Sequence, residues 1–299
     1  MLTIGILGTA KNTGKTTTLN VALKCLSNLK LAVTSIGFDG EDFDFVTGLP
    51  KPKIFVEEGC LVVTSAKAAK HSTAKLEFLK SLSFKTPMGE VGLYKVKETG
   101  TVVLVGPSSS QDLLTALKEV QEYNVDVFLI DGAVNRMMPF QHVDYVVIAT
   151  GAAKSTDLEE LFLEMKVFVK VFQLPAVKEK PTIRGLVTLQ KLLESRDESI
   201  VVESPFHLLL SAEPKMLDGV LDTVKISLSR KPKLLCITVN PCYPEKRFDD
   251  YKLSKVDLTP LVSKLRTSLG IITVDVEQNE NEFCRLLTRV VERNGGVES

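Results

Sequence analysis

Apolar positions in the first part of the chain alternate between short continuous runs and helically spaced segments. Leu2 to Leu7 is a nearly continuous apolar run that stops at Gly8, which is typical of a strand buried on both faces. Helical spacing from Thr16 to Leu29 predicts an amphipathic helix, and Leu31 to Phe38 returns to a strand pattern. This strand, helix, strand order predicts parallel strands joined by a right-handed crossover.

Two later segments have the pattern of antiparallel hairpins. β-branched runs between Lys53 and Thr64 flank Glu57-Glu58-Gly59-Cys60, and the runs Val91 to Val96 and Thr101 to Val105 flank Glu98-Thr99-Gly100. The remaining predicted helices are Gln111 to Tyr123, Leu158 to Phe172 and Asn281 to Arg293, and the remaining predicted strands are Asp126 to Asp131, Asp144 to Thr150, Leu234 to Val239 and Ile271 to Val276. The sequence predicts an α/β fold with a mostly parallel, doubly wound sheet and antiparallel hairpin additions.

Mixed charge and proline around Lys178 to Pro181 predict a boundary in the chain. On this division, residues 1–177 form the first domain and residues 178–299 form a C-terminal α/β region. The late strands either complete the same sheet or form a separate subdomain that binds a partner.

Composition excludes several classes of protein. The 299 residues are 44% hydrophobic and carry 37 Lys+Arg against 37 Asp+Glu, which is unlike a disordered chain. No apolar stretch reaches the roughly 18 residues that a bilayer requires, and no basic leader or cleavage site precedes the first strand. The formal net charge is +0, so the chain has no excess of Lys and Arg side chains to bind the phosphate backbone of a nucleic acid. We therefore expect a cytoplasmic protein with neither a membrane nor a nucleic acid as partner.

Cysteine and histidine usage does not predict a disulfide framework or a metal site. The five cysteines are an odd number in a long chain without a secretory signal, so we expect free thiols that act as small buried hydrophobes. Three scattered histidines do not predict a protein-built transition-metal site.

A glycine-containing loop between the first strand and the first helix carries the most specific chemistry. The loop is Gly8-Thr9-Ala10-Lys11-Asn12-Thr13-Gly14-Lys15-Thr16, followed by Thr17. Gly14 lets the backbone approach a phosphate, the helix-start amides point at it, Lys15 supplies positive charge, and the Thr16 hydroxyl can hold Mg²⁺. In the usual pattern the first glycine lies five positions before the second, whereas Thr9 stands there in this chain. The strand before and the helix after the loop nevertheless predict a nucleotide-binding P-loop.

A later strand ends in an acidic residue that fits the same chemistry. The run Val127 to Asp131 is an apolar strand that ends in a carboxylate, as a magnesium-holding partner of the loop requires. Asp at a strand end is also a common cap. The spacing from Gly8 to Gly14 resembles the phosphate loop of dethiobiotin synthetase and of deviant-Walker ATPases. That resemblance implies that Asp39, at the end of the second strand, contacts magnesium or the attacking water, whereas Asp42 and Asp44 equally fit a solvated loop.

Other loops at the carboxyl ends of strands are candidate ligand sites. The serines of Gly106 to Ser110 either receive an anion or provide a plain helix N-cap. Arg136 either reaches a phosphate or a partner protein or makes a surface salt bridge, and Lys11 reaches a phosphate of its own site or of a dimer mate.

The sequence favours ATP over GTP. No run of Asn or Thr, then Lys, one residue and Asp follows a late strand, and such a run is typical of a guanine site. Asn240-Pro241, at the end of a predicted strand, either places an amide against adenine or forms a turn.

Several short segments of the first half resemble a known family. They are Gly37-Phe38-Asp39-Gly40-Glu41-Asp42, Val46-Thr47-Gly48-Leu49-Pro50-Lys51-Pro52-Lys53-Ile54, Thr86-Pro87-Met88-Gly89-Glu90, Val105-Gly106-Pro107, Ile130-Asp131-Gly132-Ala133 and Ala149-Thr150-Gly151-Ala152. Together with the loop they resemble the P-loop reactivase subunit of adenosylcobalamin-dependent lysine or ornithine aminomutases. The resemblance implies an accessory ATPase that uses ATP and Mg²⁺ to open the mutase and release damaged cobalamin, with loops near Thr47 to Lys53 moving with nucleotide state.

Two other functions fit the same residues. One is an ATP-dependent ligase or kinase resembling dethiobiotin synthetase, with a small metabolite at Gly106 to Ser110. The other is a nucleotide-switched binding module whose hydrolysis is incidental. The predicted partner is an aminomutase, and a homodimer is a further prediction from the P-loop resemblance.

Overall fold

The structure is a computed structural model that describes residues 1–39, 53–183, 187–195, 199–247 and 250–295. The strands are β1 (Leu2–Gly8), β2 (Leu31–Ser35), β3 (Phe38–Asp39), β4 (Ile54–Val56), β5 (Leu61–Ser65), β6 (Lys75–Thr86), β7 (Gly89–Glu98), β8 (Gly100–Val102), β9 (Leu104–Val105), β10 (Val127–Ala133), β11 (Tyr145–Gly151), β12 (Ser199–Val202), β13 (Lys225–Leu228), β14 (Lys233–Asn240), β15 (Cys242–Arg247), β16 (Asp250–Lys255) and β17 (Thr273–Asp275). The helices are α1 (Lys15–Cys25), α2 (Ala66–Lys70), α3 (Ser110–Gln121), α4 (Leu158–Gln173), α5 (Leu189–Glu194), α6 (Pro205–Leu209), α7 (Pro214–Leu221), α8 (Thr259–Leu269) and α9 (Glu280–Gly295), with 3-10 turns at Val134–Arg136 and Met138–His142.

The main sheet of the described residues has nine strands in the order β17-β14-β11-β1-β10-β2-β5-β7-β6. The strands from β17 to β5 are parallel, whereas β7 runs antiparallel to β5 and β6 runs antiparallel to β7. β10 lies between β1 and β2, so the crossover through α1 skips one position. The predicted α/β fold, with a mostly parallel sheet and antiparallel additions, is confirmed.

Helices cover both faces of this sheet, and the side chains of the central strands are therefore buried on both sides. On one face, Leu19 of α1 and Phe283 of α9 pack against Ile4 and Leu129 of the sheet. On the other face, α3, α4 and α8 pack over the alternate residues of the same strands. Each fully buried Leu or Phe side chain stabilises the fold by about 1.5–3 kcal/mol. Within the described ranges, no helix combines the length and apolar character needed to cross a membrane.

The aromatic ring of Phe140 requires glycine on two adjacent central strands. Phe140 is fully buried against Gly5 of β1 and Gly132 of β10. A Cβ atom at Gly132 would lie 2.6 Å from Phe140 Cε2, closer than packed carbon atoms approach. The glycines therefore let the Met138–His142 turn lie directly on the sheet.

A third apolar cluster lies between α4 and β14 in the sequence. The two-stranded parallel sheet of β12 and β13, together with α5, α6 and α7, packs on the side of α4 that carries Val167 and Val171. β14 and β17 return to the main sheet beyond this cluster. Segments on both sides of residue 178 therefore contribute to one sheet.

The hairpin predicted between Lys53 and Thr64 does not form. β4 pairs with β8, and β5 pairs with β2 and β7. All five residues of β5, Leu61–Ser65, are buried, so this run requires an interior position in the main sheet rather than a two-stranded hairpin.

The second predicted hairpin is also wrong in its pairing. The chain turns at Pro87 and Met88, and β7 pairs with the preceding strand β6. β8 pairs instead with β4, and β9 pairs with β3. β6 is an edge strand in which many side chains are exposed and three are lysines, which is typical of protected sheet edges. This composition gives only a weak strand pattern in the sequence.

Two of the cysteines predicted to be free thiols are paired. Cys25, at the end of α1, forms a disulfide with Cys284 of α9, and their Cα atoms lie 5.2 Å apart. They are separated by 259 positions, so the pairing depends on how α9 packs along α1. Cys60 and Cys236 are buried thiols, and burial raises the pKa of Cys60 to about 12. The expectation of buried thiols therefore fits these two residues and is wrong for Cys25 and Cys284.

Reduction of the Cys25–Cys284 disulfide is expected to lower the free energy of unfolding by about 2–4 kcal/mol, because the crosslink restricts the unfolded chain. Urea unfolding with and without reductant measures this change, and Cys284→Ser should lower stability to a similar extent. Cys242→Ser, at a half-buried free thiol, is the control. A titration of five thiols in the unfolded, non-reduced protein would contradict the pairing.

Candidate functional site

The loop between β1 and α1 is shaped by two left-handed residues. Asn12 has φ +62° and Gly14 has φ +84°, and these conformations turn the chain into the start of α1 at Lys15. Asn is among the non-glycine residues that tolerate this region. The Thr13 hydroxyl donates to the Ala10 carbonyl at 2.9 Å, which closes the loop on itself.

Gly14 is required by space as well as by conformation. A Cβ atom at this position would lie 2.8 Å from Asn240 Cβ. Gly8 is under a milder restriction, since a Cβ atom there would lie 3.2 Å from Lys15 Cβ. The backbone of the loop therefore lies against β14 on one side and against the stem of Lys15 on the other.

Lys15 and Asp131 form an ion pair at the carboxyl edge of the sheet. Lys15 Nζ lies 2.8 Å from Asp131 Oδ2, and the Asp131 side chain is fully buried. The Ser35 hydroxyl, at the end of β2, is 3.5 Å from the same oxygen. Because β1 and β10 are adjacent and parallel, with Gly8 opposite Ala133, the sheet brings the loop and the carboxylate together.

The start of α1 is suited to an external anion. The first N–H groups of a helix have no partner inside the helix, and the helix dipole adds partial positive charge there. Gly14 provides no side-chain cap, and the first turn of α1 contains no acidic residue. Lys15 adds a full positive charge at the same point.

The start of α3, at the same edge of the sheet, is different. Ser109 and Asp112 form a capping box. Asp112 Oδ2 accepts from Ser109 N at 3.2 Å and from the Ser108 hydroxyl at 3.2 Å. The carboxylate of Asp112 takes the donors that an external anion would use, so the structure favours the N-cap alternative for Gly106 to Ser110.

The acidic residues predicted after the second strand are only partly described. The strand ends at Ser35, and Asp39 lies in the separate short strand β3, where its backbone is opposite Leu104. Its side chain, and all of residues 40–52 with Asp42, Asp44 and most of the predicted moving loop, lie outside the described residues. The role of Asp39 stays a prediction.

The other predicted residues lie around the loop. Lys11 is exposed, and Thr16 and Thr17 are half-buried in the first turn of α1. The Arg136 guanidinium packs against Gly37, whose φ is +87°. Arg136 therefore lies over the turn that leaves β2.

Three hydroxyl residues that the sequence analysis did not single out, Thr18, Thr150 and Thr238, support the loop. The Thr9 hydroxyl donates to that of Thr150 at the end of β11 at 3.1 Å. The hydroxyls of Thr18 in α1 and Thr238 in β14 are 2.9 Å apart. Thr150 and Thr238 each lie near the carboxyl end of an apolar strand, a pattern too frequent in sequences to single them out, and Thr18 is one of three consecutive threonines at the start of α1.

Two solved structures are similar to this chain at low sequence identity and low TM-score. No protein-family model matches this chain, and no curated protein matches it in sequence. The solved structure of pNOB8 ParA bound to nonspecific DNA is 13% identical, with a TM-score of 0.34 over 98% of this chain and 100% of that chain. A nucleotide-binding protein from Archaeoglobus fulgidus in complex with ADP is 12% identical, with a TM-score of 0.31 over 98% of this chain and 88% of that chain. These values assign no family, so the function is argued from the site residues.

The Lys15–Asp131 pair is expected to show strong coupling in a double-mutant cycle made without nucleotide. Because Asp131 is fully buried, Lys15→Gln and Asp131→Asn should each destabilise, with a coupling of about 2 kcal/mol in urea unfolding. The exposed pair Lys75–Glu98 is the control and should couple far more weakly. Equal coupling in the two pairs would contradict the assignment of Asp131 as the electrostatic partner of the loop.

Proposed function

We propose that this chain binds ATP with Mg²⁺ at the loop Gly8–Thr16 and hydrolyses it. The observation that carries the proposal is the placement of Lys15 at the uncapped start of α1, 2.8 Å from the buried Asp131. The helix-start amides and Lys15 are donors that suit the phosphates of a nucleotide. In this proposal the binding surface consists of the loop and the start of α1, that is, Gly8, Thr9, Ala10, Lys11, Asn12, Thr13, Gly14, Lys15, Thr16 and Thr17.

The residues present also fit Mg²⁺. Magnesium prefers oxygen ligands, and the Thr16 hydroxyl and the Asp131 carboxylate lie on the two elements that meet at the loop. We propose Thr16 and Asp131 as its holders, with Asp39 as a third residue for the metal or the attacking water. When bound, the ion neutralises charge on the phosphates.

The Lys15–Asp131 contact suggests how the site responds to a nucleotide. The ammonium group of Lys15 contacts the Asp131 carboxylate. A triphosphate at the loop would offer Lys15 a second set of anionic oxygens, and Lys15 would then leave the Asp131 carboxylate available to hold Mg²⁺. Nucleotide binding therefore exchanges one ion pair for two charge-assisted contacts.

We further propose that the ATPase acts as the reactivase of an adenosylcobalamin-dependent aminomutase, in the cytoplasm and as a homodimer. The support is the resemblance of the short segments in the first half of the chain, from Gly37 to Ala152. The rival ligase or kinase needs a small-molecule anion site at Gly106 to Ser110. Asp112 occupies the donors of that loop, which favours the reactivase.

Lys15→Ala is expected to lower the affinity for Mg-ATP by at least about 100-fold, because two charge-assisted contacts to the phosphates are lost. Isothermal titration calorimetry measures the affinity. Lys24→Ala is the matched control on the same helix, since Lys24 pairs at the surface with Glu280 and should leave the affinity within about 2-fold. Retention of wild-type affinity by Lys15→Ala would mean that the loop is not the site.

The partner is tested by the rate of ATP hydrolysis with and without the aminomutase. We expect the mutase to stimulate hydrolysis by the wild-type chain and not by Lys15→Ala. Stimulation by small amines or carboxylates, without any effect of the mutase, would overturn the reactivase role and support the ligase or kinase.

A further inference from the structure

Asn240 connects the second half of the chain to the phosphate loop. It is the last residue of β14, which is separated from β1 by β11. Its Nδ2 donates to the Asn12 carbonyl at 3.0 Å, and its Oδ1 accepts from Cys242 N at 3.0 Å. Its own carbonyl accepts from Ala152 N at 3.0 Å, just after β11. Asn240 thus joins the ends of β11 and β14 to the loop.

The bond to Asn12 determines the orientation of one peptide group in the loop. In a planar trans peptide the carbonyl and the following N–H point in opposite directions. Because the Asn12 carbonyl points at Asn240, the N–H of Thr13 points away from β14. Gly14, which follows Thr13, is restrained by packing, because it lies against Asn240 Cβ with no space for a side chain. Asn240 therefore restrains the residues on both sides of Thr13.

These contacts use both polar ends of the Asn240 amide. If the amide turned toward adenine, it would release the Asn12 carbonyl and the Cys242 N–H together. Two interactions that hold the backbone would then be exchanged for contacts with one base.

We infer that Asn240 is a positioning residue that orients the Asn12–Thr13 peptide for phosphate binding, and that it does not read the adenine base. The inference rests on the proposed nucleotide site and names a function for the end of β14 within it. It predicts that the contribution of Asn240 to affinity is the same for any ligand with the same phosphates.

The test compares Mg-ATP with Mg-tripolyphosphate, which has the phosphates and no base. Asn240→Ser keeps a short oxygen for the Cys242 N–H and is too short to reach Asn12. We expect it to weaken both ligands by the same factor, about 5- to 10-fold, as loss of one hydrogen bond predicts. Calorimetry on the folded variant, with circular dichroism to establish the fold, measures both affinities.

A second variant keeps the inference testable if Asn240→Ser is unstable. Asn240→Asp preserves the shape and the acceptor, and it replaces the donor to Asn12 with an oxygen. It should weaken tripolyphosphate by at least as much as Asn240→Ser. Thr223→Ala, at an exposed hydroxyl after α7, is the control for a surface change away from the loop.

Each outcome decides the question. Loss of ATP affinity with unchanged tripolyphosphate affinity would overturn the inference and assign Asn240 to the base. Unchanged affinity for both ligands would overturn it as well. A wild-type chain that binds neither ligand would instead remove the proposed nucleotide site, and the inference with it.

Discussion

The ion pair between Lys15 and Asp131 is the interaction on which the site depends. A buried carboxylate is costly unless an opposite charge and hydrogen-bond donors accompany it. Asp131 has Lys15 at 2.8 Å and the Ser35 hydroxyl at 3.5 Å. The pair therefore ties the start of α1 to the centre of the sheet and keeps the ammonium group at the carboxyl edge of β10.

The loop is also held from its other side. Thr150 of β11 and Asn240 of β14 contact Thr9 and Asn12. β10 on one side and β11 with β14 on the other thus hold a segment that would otherwise be a flexible surface loop. Such support would lower the cost of ordering the backbone around the phosphates of the proposed nucleotide. The second half of the chain accordingly contributes to a site whose signature lies in the first half.

Two helix starts at the same edge of the sheet have opposite electrostatic roles. α3 is neutralised by its own capping box through Asp112, whereas α1 begins after a glycine and next to a lysine. Anion binding at a helix start depends on which partner satisfies the first amides. This difference concentrates the anion-binding capacity in the Gly8–Thr16 loop.

The sequence by itself determined the features that depend on local pattern. The continuous apolar run of β1, the helical spacing of α1 and the loop between them predict where Lys15 lies, and the apolar run of β10 predicts Asp131 at the carboxyl edge. Only the tertiary structure decided which distant segments meet. The pairing of β4 with β8, the disulfide between Cys25 and Cys284, and the reach of Asn240 to Asn12 each join residues whose proximity depends on the packing of whole elements. Local pattern encodes the face that a residue presents, and the order of strands in the sheet decides what that face contacts.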